Sequence, residues 1–452
     1  MAKPSKARAK KRATTGKSIS RRTATKRAAA PLKRLAGWQP SAAQRGFAER
    51  LDRLAEIAVK VGLQLKAGQE VVATAPIEAL PLARRVSEHA YKAGASLVTV
   101  LFSDDVMALQ RFQFAADASF DKATGWLFDG IAAAFRSGAA RLAIVGEDPS
   151  LLSAQDAHKV ARANRARSTA YRPALDHIVN FDINWSIVSY ATPAWARAVF
   201  PKLAEKDAVR RLWDAIFAAS RVDGPDPIAA WRRHNAALSR RTDLLNERRF
   251  SSLRFRGPET DLTVGLADDH LWVGGASRAN NGVVCNPNIP TEEVFTTPHR
   301  LRVDGRVRST KPLSYQGTLI RDIAVRFEDG HVVESHARTG ADVLAKVLAT
   351  DDGASRLGEV ALVPNSSPIS QSGVLFLNTL FDENAASHIA LGQAYSKCIR
   401  DGATLSKHQL TEKGANSSLI HIDWMIGSGK VDVDGLDASG AAEPLMRGGE
   451  WT

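Results

Sequence analysis

The segment EVVATAPIEALPLARRVSEHAYKAGASLVTVLF, residues 70–102, indicates the fold class of this chain. Its β-branched start at 70–75 predicts a strand, the apolar residues at helical spacing over 80–93 predict a helix, and the apolar run 96–102 predicts a second strand. A strand, a helix and a strand in this order form a βαβ unit, the building block of parallel sheets. The folded part of the chain is therefore predicted to begin with an α/β domain.

The sequence around this unit extends the same pattern. A helical pattern precedes it at 48–61, apolar strands follow at 141–145 and 185–190, and two long helices are predicted at 206–219 and 227–246. After Phe250 the pattern changes to strand alternation and glycine, as in TDLTVGL at 260–266. We therefore predict an α/β domain with a parallel-type sheet and connecting helices at 41–250, followed by an α+β domain at 251–452.

The net charge of +13 is concentrated at one end of the chain. Residues 1–34 contain thirteen Lys and Arg, and the first acidic residue is Glu49; the remaining 418 residues carry 48 basic and 48 acidic side chains. The basic character therefore belongs to a tail, and it gives no reason to assign nucleic-acid binding to the folded body.

The tail, residues 1–40, contains almost no large apolar side chain, so burial cannot offset its ordering entropy and it is predicted to be disordered. Three interpretations stay open: a basic arm that contacts nucleic acid weakly through residues 1–34, an organellar transit peptide, and an incidental extension. No run of eighteen apolar residues occurs, so no membrane-spanning helix is predicted. The two cysteines, Cys285 and Cys398, suit a reducing compartment, and we expect a cytoplasmic location.

Several signatures of hydrolases and nucleotide-binding proteins are missing from the sequence. There is no Gly-x-Ser-x-Gly elbow, no Gly-Lys-Ser/Thr phosphate loop and no His-Glu-x-x-His motif. HVVESH at 331–336 resembles an inverted zinc-protease motif, but Ser335 separates its glutamate from the second histidine, and the preceding EDG at 328–330 predicts a hairpin turn. With only two cysteines, a metal must be held by His, Asp or Glu.

His421 and Asp423 form the most informative pair of chemical side chains. They lie in SLIHIDWMI at 418–426, whose apolar density predicts a buried strand, and their spacing of two places both side chains on the same face. A buried imidazole and carboxylate are costly unless they are paired with each other or bound to a metal. A structural hydrogen-bonded pair is the alternative at this point.

Three glutamates upstream could join this pair. Glu359 opens the apolar strand 357–363, and strand ends carry reactive groups in α/β enzymes, although an exposed strand-end glutamate is the alternative. Glu292 and Glu293 follow Pro290, and a Pro-Thr pair with acids after it is equally a helix N-cap signal.

Glu383, His388 and Tyr395 lie in and after a segment of small residues, which lets side chains and ions approach the backbone. If that segment is helical, Tyr395 can share a face with His388; otherwise it is a core tyrosine. Converging carboxylates and imidazoles are what a hydrolytic two-metal site needs.

As an ordered set, these motifs resemble the thermophilic aminopeptidases, also called the aminopeptidase T family, which are dinuclear metallo-exopeptidases. The resemblance covers the chain from about Phe47 to its end. It rests on five motifs: GPETDL at 257–262, NIPTEEVFT at 288–296, GE at 358–359, DENAASHIALG at 382–392 and HIDWMIG at 421–427.

The resemblance implies a function and a set of site residues. It implies that two divalent metal ions, either Zn, Co, Mn or Mg, are bound by six residues: Glu293, Glu359, Glu383, His388, His421 and Asp423. It also implies that Tyr395 assists beside them. Our own mechanistic hypothesis is that Glu359 either bridges the metals or takes a proton from the attacking water, and that Tyr395 donates to the developing oxyanion. Peptides with a free N-terminus are then the substrates, and a homodimer is expected to enclose the site.

Two other functions stay open. His388, His421 and Asp423 suffice for a mononuclear iron site, as in ring-cleaving dioxygenases, although such a site leaves the three glutamates without a role. A nucleic-acid-associated protein that acts through its basic tail is the second alternative, and it leaves His421 and Asp423 unexplained.

Overall fold

A computed structural model describes residues 42–315 and 318–452 of the protein. The basic tail predicted at 1–40 lies outside the described residues. Within the described part of the chain, no helix is long and apolar enough to cross a membrane.

The first half of the described chain alternates helices and strands. The elements are α1 (Ala42–Ile57), β1 (Glu70–Pro76), α2 (Leu80–Lys92), β2 (Leu97–Ser103), α3 (Asp105–Phe114), α4 (Gly125–Arg136), β3 (Ala140–Val145), α5 (Ala157–Val179), β4 (Trp185–Ser189), α6 (Pro193–Val199), α7 (Glu205–Ala219) and α8 (Pro227–Arg248). The four strands form a parallel sheet in the order β2-β1-β3-β4. Parallel neighbours require crossover connections, which the intervening helices provide.

The predicted βαβ unit is present, with each bound within one residue of its predicted position. Four of the helices that follow it, α3, α4, α5 and α6, do not correspond to a helix predicted from the sequence, and the signal is weakest for α3 and α5. No residue of α3 is buried, and α5 buries only three of its 23 residues. An apolar stripe marks a helix in the sequence only where one face packs against a core, so these two helices left a weak signal.

The second half of the described chain consists mainly of antiparallel strands. They are β5 (Ser252–Gly257), β6 (Thr260–Leu266), β7 (Val273–Gly274), β8 (Ser277–Arg278), β9 (Val284–Cys285), β10 (Val294–Thr296), β11 (Pro298–Arg308), β12 (Leu313–Tyr315), β13 (Thr318–Ile320), β14 (Ala324–Glu328), β15 (His331–His336), β16 (Leu357–Leu362), β17 (His388–Gly392), β18 (His421–Met425), β19 (Asp432–Leu436), β20 (Ala442–Arg447) and β21 (Glu450–Trp451). Four short helices accompany them: α9 (Ala341–Leu348), α10 (Pro368–Ser372), α11 (Thr379–Asp382) and α12 (Lys407–Glu412).

These strands build two main sheets. One has five strands in the order β18-β17-β16-β10-β7, and the other has eight in the order β15-β14-β11-β6-β5-β19-β20-β21. The mixed α/β fold predicted from the sequence, with a parallel sheet first and an α+β part after it, is confirmed. The division into domains at residue 250 stays a prediction.

The described residues form two large apolar cores and two smaller ones, and one segment connects the later part of the chain to the first large core. The first large core packs against one face of the parallel sheet and also contains Ile369, Phe376 and Phe381, whereas a smaller core lies on the other face. The second core contains residues from both antiparallel sheets, among them Phe255 and Trp424. The segment 369–385 is therefore packed into the first core, whereas the strands on either side of it belong to the second.

Trp195 in α6 fixes this segment. Its side chain is fully buried, its indole Nε1 donates a hydrogen bond to the backbone oxygen of Phe376 at 2.6 Å, and its ring lies 5.9 Å from the ring of Phe381. A buried indole usually needs a partner for its N–H, and here that partner belongs to the segment that leads to Glu383.

Replacing Trp195 with alanine should lower the free energy of unfolding by about 3–5 kcal/mol, because it leaves a large cavity and an unpaired carbonyl oxygen. Chemical denaturation followed by circular dichroism measures this change. Trp126→Ala is the matched control; its side chain is 77% exposed, so the free energy of unfolding should change by no more than about 0.5 kcal/mol. Equal losses in the two variants would contradict the role given to Trp195.

Candidate metal centre

Three neighbouring strands place most of the predicted site residues on one face of the five-stranded sheet. Glu359 in β16 is opposite Ala390 in β17, and Ala390 is opposite Asp423 in β18. Directly opposed residues share a face, and so do residues two apart on a strand. His388 and His421 are therefore on the same face as Glu359 and Asp423.

The middle strand, β17, has small residues at the positions that pair with site residues of the neighbouring strands. Ala390 stands between Glu359 and Asp423 in the register, and Gly392 stands opposite His421. A methyl group and a hydrogen leave the space above β17 open, so the longer side chains of the flanking strands can converge over it.

The side chains form two clusters that share one residue. In the first, His388 Nε2 lies 3.3 Å from Glu293 Oε2 and 3.6 Å from Glu359 Oε1. In the second, His421 Nε2 lies 3.4 Å from Glu359 Oε2 and 3.3 Å from Asp423 Oδ1. Within each cluster the possible ligand atoms all lie within 4.8 Å of one another. One oxygen of Glu359 faces each cluster.

Glu359 differs from its sequence-based description. It is the third residue of β16, paired on one side with β17, and it is only 4% exposed. The expectation that it lies at a strand end is wrong, and so is the alternative of an exposed glutamate. The strand bulges between Leu357 and Glu359, where Gly358 closely approaches the backbone oxygens of Gly392 and Gln393.

Glu293 lies on a loop whose position is fixed by contacts of the preceding residue, Glu292. Residues 291–293 form no helix and lead directly into β10, so the helix N-cap alternative is wrong. Glu292 is buried, and Arg221 donates from Nη2 to its Oε2 at 2.8 Å. The backbone N–H of Glu292 also donates to Oδ1 of the buried Asn384 at 2.7 Å. A buried ion pair thus fixes the residue next to Glu293, which leaves Glu293 facing His388.

Glu383 is the one predicted ligand that the structure keeps out of both clusters. It lies in a 3₁₀ turn after α11, lines the same cleft as Glu293, and accepts a hydrogen bond from Asn384 Nδ2 at 3.3 Å. Burial raises the pKa of its carboxyl group well above the usual value, and the neighbouring acids Glu293 and Asp423 raise it further. Its role as a ligand stays a prediction.

Tyr395 lies beside the second cluster and not on a helix with His388. His388 begins strand β17, and Tyr395 follows three residues after the end of that strand, so the helical alternative is wrong. The phenol ring lies 4.8 Å from the imidazole ring of His421 and 6.0 Å from the ring of Phe295. Because the residue is 38% exposed and lines the cleft, it is not a core tyrosine.

Both histidines have one ring nitrogen engaged by a backbone carbonyl. His388 Nδ1 lies 3.2 Å from the oxygen of Ala386, and His421 Nδ1 lies 2.7 Å from the oxygen of Gln393. A carbonyl oxygen only accepts, so the proton of the neutral ring is on Nδ1 and the lone pair is on Nε2. This arrangement orients Nε2 of both rings toward the carboxylates and suits metal ligation.

The electrostatics of the site indicate an excess of negative charge. Burial raises the pKa of Glu293, and burial alone would lower that of His421, but Asp423 and Glu359 outweigh it and raise the pKa of His421 to about 11. Burial likewise opposes ionisation of Glu359, yet His388 and His421 lower its pKa to about 2. The acids therefore favour bound positive charge, and in the metal-free protein the histidine protons supply part of it.

The donor set fits divalent metal ions. Glu293 Oε2 is buried and forms no hydrogen bond, although it lies close to His388 Nε2. A buried carboxylate oxygen without a hydrogen-bond partner is costly, and a bound cation removes that cost. Carboxylate oxygens together with imidazole nitrogens are ligands for zinc, cobalt and manganese.

The motif-like stretch at 331–336 belongs to no such cluster. It forms β15, whose last four residues are exposed, and Glu334 is paired with Arg326 at 2.6 Å. The predicted turn at 328–330 joins it to β14. The prediction of a solvent-facing strand is confirmed.

A cleft of about 1080 Å³ opens onto the metal centre. Its walls come from both halves of the chain: Phe181 and Trp185 from the region of the parallel sheet, and Phe295, Tyr395 and Lys397 from the later part. Sequence reasoning identified none of these wall residues except Tyr395. It also missed Arg221 and Asn384, because their partners lie 71 and 92 residues away in the chain and only the fold brings them together.

Known proteins are similar to this chain in sequence and in fold. The family model described as thermophilic metalloprotease (M29) matches residues 47–451. The chain is 54% identical to "Aminopeptidase T" of Thermus thermophilus over 405 residues, which cover 90% of this chain and 99% of that protein. It is 45% identical to "Aminopeptidase 2" of Geobacillus stearothermophilus over 406 residues, which cover 89% and 98% of the two chains.

The solved structure of wild-type AmpT from Thermus thermophilus matches with a TM-score of 0.85 at 53% identity, covering 90% of this chain and all of that one. The resemblance inferred from the five motifs is therefore confirmed. Since the family model matches residues 47–451, the chain belongs to the thermophilic metalloprotease family M29.

Proposed function

We propose that the protein removes N-terminal residues from peptides at a centre of two divalent metal ions bridged by Glu359. The predicted metal-dependent aminopeptidase is confirmed at the level of its family and of the relatives' names. The number of metal ions and the bridging role of Glu359 are what we propose beyond this. This proposal rests on one observation: the two oxygens of Glu359 face two separate clusters, one with Glu293 and His388 and one with His421 and Asp423.

The charge of the proposed ligands supports two ions. Glu293, Glu359, Glu383 and Asp423 carry four negative charges when ionised, and two divalent cations neutralise four. One cation would leave a buried excess of negative charge, which is costly in a site of low polarity. Zn, Co, Mn and Mg are the candidate ions. Glu383 is retained as a sixth ligand because it lines the cleft beside Glu293.

Two divalent ions held by these residues would supply Lewis acidity and would lower the pKa of a bound water molecule. The residues of the chain position the reacting groups. Glu359 holds the two clusters at a fixed separation, and Tyr395 projects into the cleft beside His421, where its hydroxyl can donate a hydrogen bond to the substrate carbonyl oxygen as negative charge develops there. A tyrosine hydroxyl is protonated at neutral pH, so Tyr395 is able to donate this hydrogen bond.

The arrangement of the histidines disfavours the iron dioxygenase alternative. A mononuclear site of that class needs two histidines and one carboxylate around one ion. Among the described residues, each cluster contains only one histidine: His388 is in the first and His421 in the second. The family match favours the peptidase as well.

The remaining expectations are also proposals. A cytoplasmic location is supported by the two cysteines, both buried and unbonded to each other. Weak contact with nucleic acid through residues 1–34 concerns a part of the chain outside the described residues, and it is compatible with peptidase activity.

Metal-free protein should regain activity on leucyl-p-nitroanilide when zinc, cobalt or manganese is added, with a maximum near two equivalents per chain. Glu359→Gln should lower kcat by more than about 100-fold, because an amide cannot bridge two cations as a carboxylate does. Steady-state kinetics after chelation and metal titration measure both effects.

Glu334→Gln is the matched control for this experiment, since it makes the same change on the exposed strand β15. Its kcat should remain within about twofold of wild type, as expected for an exposed ion pair. Maximal activity at one equivalent, or nearly full activity of Glu359→Gln, would contradict the bridged two-ion centre.

We also propose a homodimer. The chain exposes large apolar side chains on and next to α3, among them Met107 at 71% and Phe114 at 81%. Exposed apolar side chains of this size are common at protein interfaces.

Analytical ultracentrifugation should give twice the mass of one chain for the wild-type protein. Phe114→Glu should shift the equilibrium toward the single chain, because it places a charge in the apolar surface. A wild-type protein of single-chain mass at micromolar concentration would refute the dimer.

A further inference from the structure

Lys397 places a positive charge in the wall of the cleft. It lies in the 3₁₀ turn Ser396–Cys398, directly after Tyr395, and its side chain is half-buried. Its Nζ lies 5.1 Å from the ring centre of Phe295, 5.2 Å from that of Phe181 and 5.6 Å from that of Tyr395. Three aromatic rings from different parts of the chain therefore surround one ammonium group.

This ammonium has no carboxylate partner within 4.0 Å among the described residues. The arginines that line the same cleft are different: Arg172 lies 2.9 Å from Asp176, and Arg300 lies 3.7 Å from Asp352. The aromatic faces attract the cation and hold it in place, but they do not neutralise its charge. Lys397 therefore remains able to bind an anion that enters the cleft.

The neighbours of Lys397 place it next to the metal centre. Tyr395, whose ring it contacts, lies 4.8 Å from the imidazole ring of His421. Lys397, Glu359 and Asp423 line one continuous cleft. Lys397 is therefore within reach of the residues that follow the first one in a peptide bound at the metal centre.

The charge of Lys397 selects the group that it can bind. An ammonium repels the free amino group of a substrate, and it attracts a carboxylate through charge-assisted hydrogen bonds. We propose that Lys397 binds a carboxylate of the peptide substrate on the far side of the scissile bond. This inference rests on the proposed function. The carboxylate could come from the C-terminus of a very short peptide or from an acidic side chain after the scissile bond.

A purely structural role is the competing explanation. In that case Lys397 only packs Phe181, Phe295 and Tyr395 together, and its loss would affect every substrate equally. The two explanations therefore differ in substrate selectivity and not in overall activity.

The test compares Lys397→Met with the wild-type full chain, both loaded with zinc, on pairs of substrates with and without a carboxylate. Leucylglycine and leucylglycinamide differ only in the C-terminal carboxylate, and leucyl-aspartic acid amide and leucyl-asparagine amide differ only in the side chain. The quantity compared is kcat/KM for the substrate with the carboxylate divided by kcat/KM for its uncharged partner. For at least one pair, Lys397→Met should lower this ratio by roughly 10- to 100-fold, mainly because KM for the carboxylate substrate rises.

The pair that responds identifies the source of the carboxylate. Lys397→Arg retains the charge and should restore most of the lost ratio. Unchanged ratios for both pairs in Lys397→Met would overturn the inference, whether or not the overall rate falls. A wild-type enzyme that releases leucine from none of these substrates would instead contradict the proposed aminopeptidase, and this result is distinguishable because it requires no variant.

Discussion

A carboxylate buried inside a β-sheet is unstable unless positive charge is bound to it, and Glu359 is such a carboxylate. Each of its oxygens faces a histidine, and each histidine faces a further acid. Glu293 belongs to one of the two clusters that share the Glu359 carboxylate, and Asp423 belongs to the other. The protein thus concentrates negative charge in a place that favours cations, and it uses the hydrogen-bonded sheet to keep the acids from moving apart.

The fold provides the rigidity that this arrangement requires. Glu359, His388, His421 and Asp423 lie on three hydrogen-bonded strands, with small residues in the middle strand. Glu293 and Glu383 lie on loops, and both loops are fixed: one by the ion pair of Glu292 with Arg221 and the other by the packing of 369–385 into the first core. Asn384 connects the two loops through hydrogen bonds. A metal centre built this way is held in position before an ion binds.

The sequence predicted correctly those structural features that depend only on a short stretch of residues. The βαβ unit followed from the period of apolar residues over 70–102, and the common face of His421 and Asp423 followed from their spacing. The position of Glu359 inside a strand did not follow, since one charged residue in an apolar run looks the same at an end and in the middle. The pairing of Ala390 with both Glu359 and Asp423, and the aromatic surroundings of Lys397, depend on contacts between residues far apart in sequence. Assignment of the ligands relied on the resemblance of whole motifs, because each residue alone had an ordinary structural explanation.

Diffraction from crystals of the cobalt-loaded full chain, recorded at the cobalt absorption edge, would locate the ions around Glu359. Two anomalous peaks are expected, one between Glu293, His388 and Glu359 and the other between Glu359, His421 and Asp423. A single peak held by one cluster, with the other oxygen of Glu359 unliganded at saturating cobalt, would contradict the bridged two-ion centre.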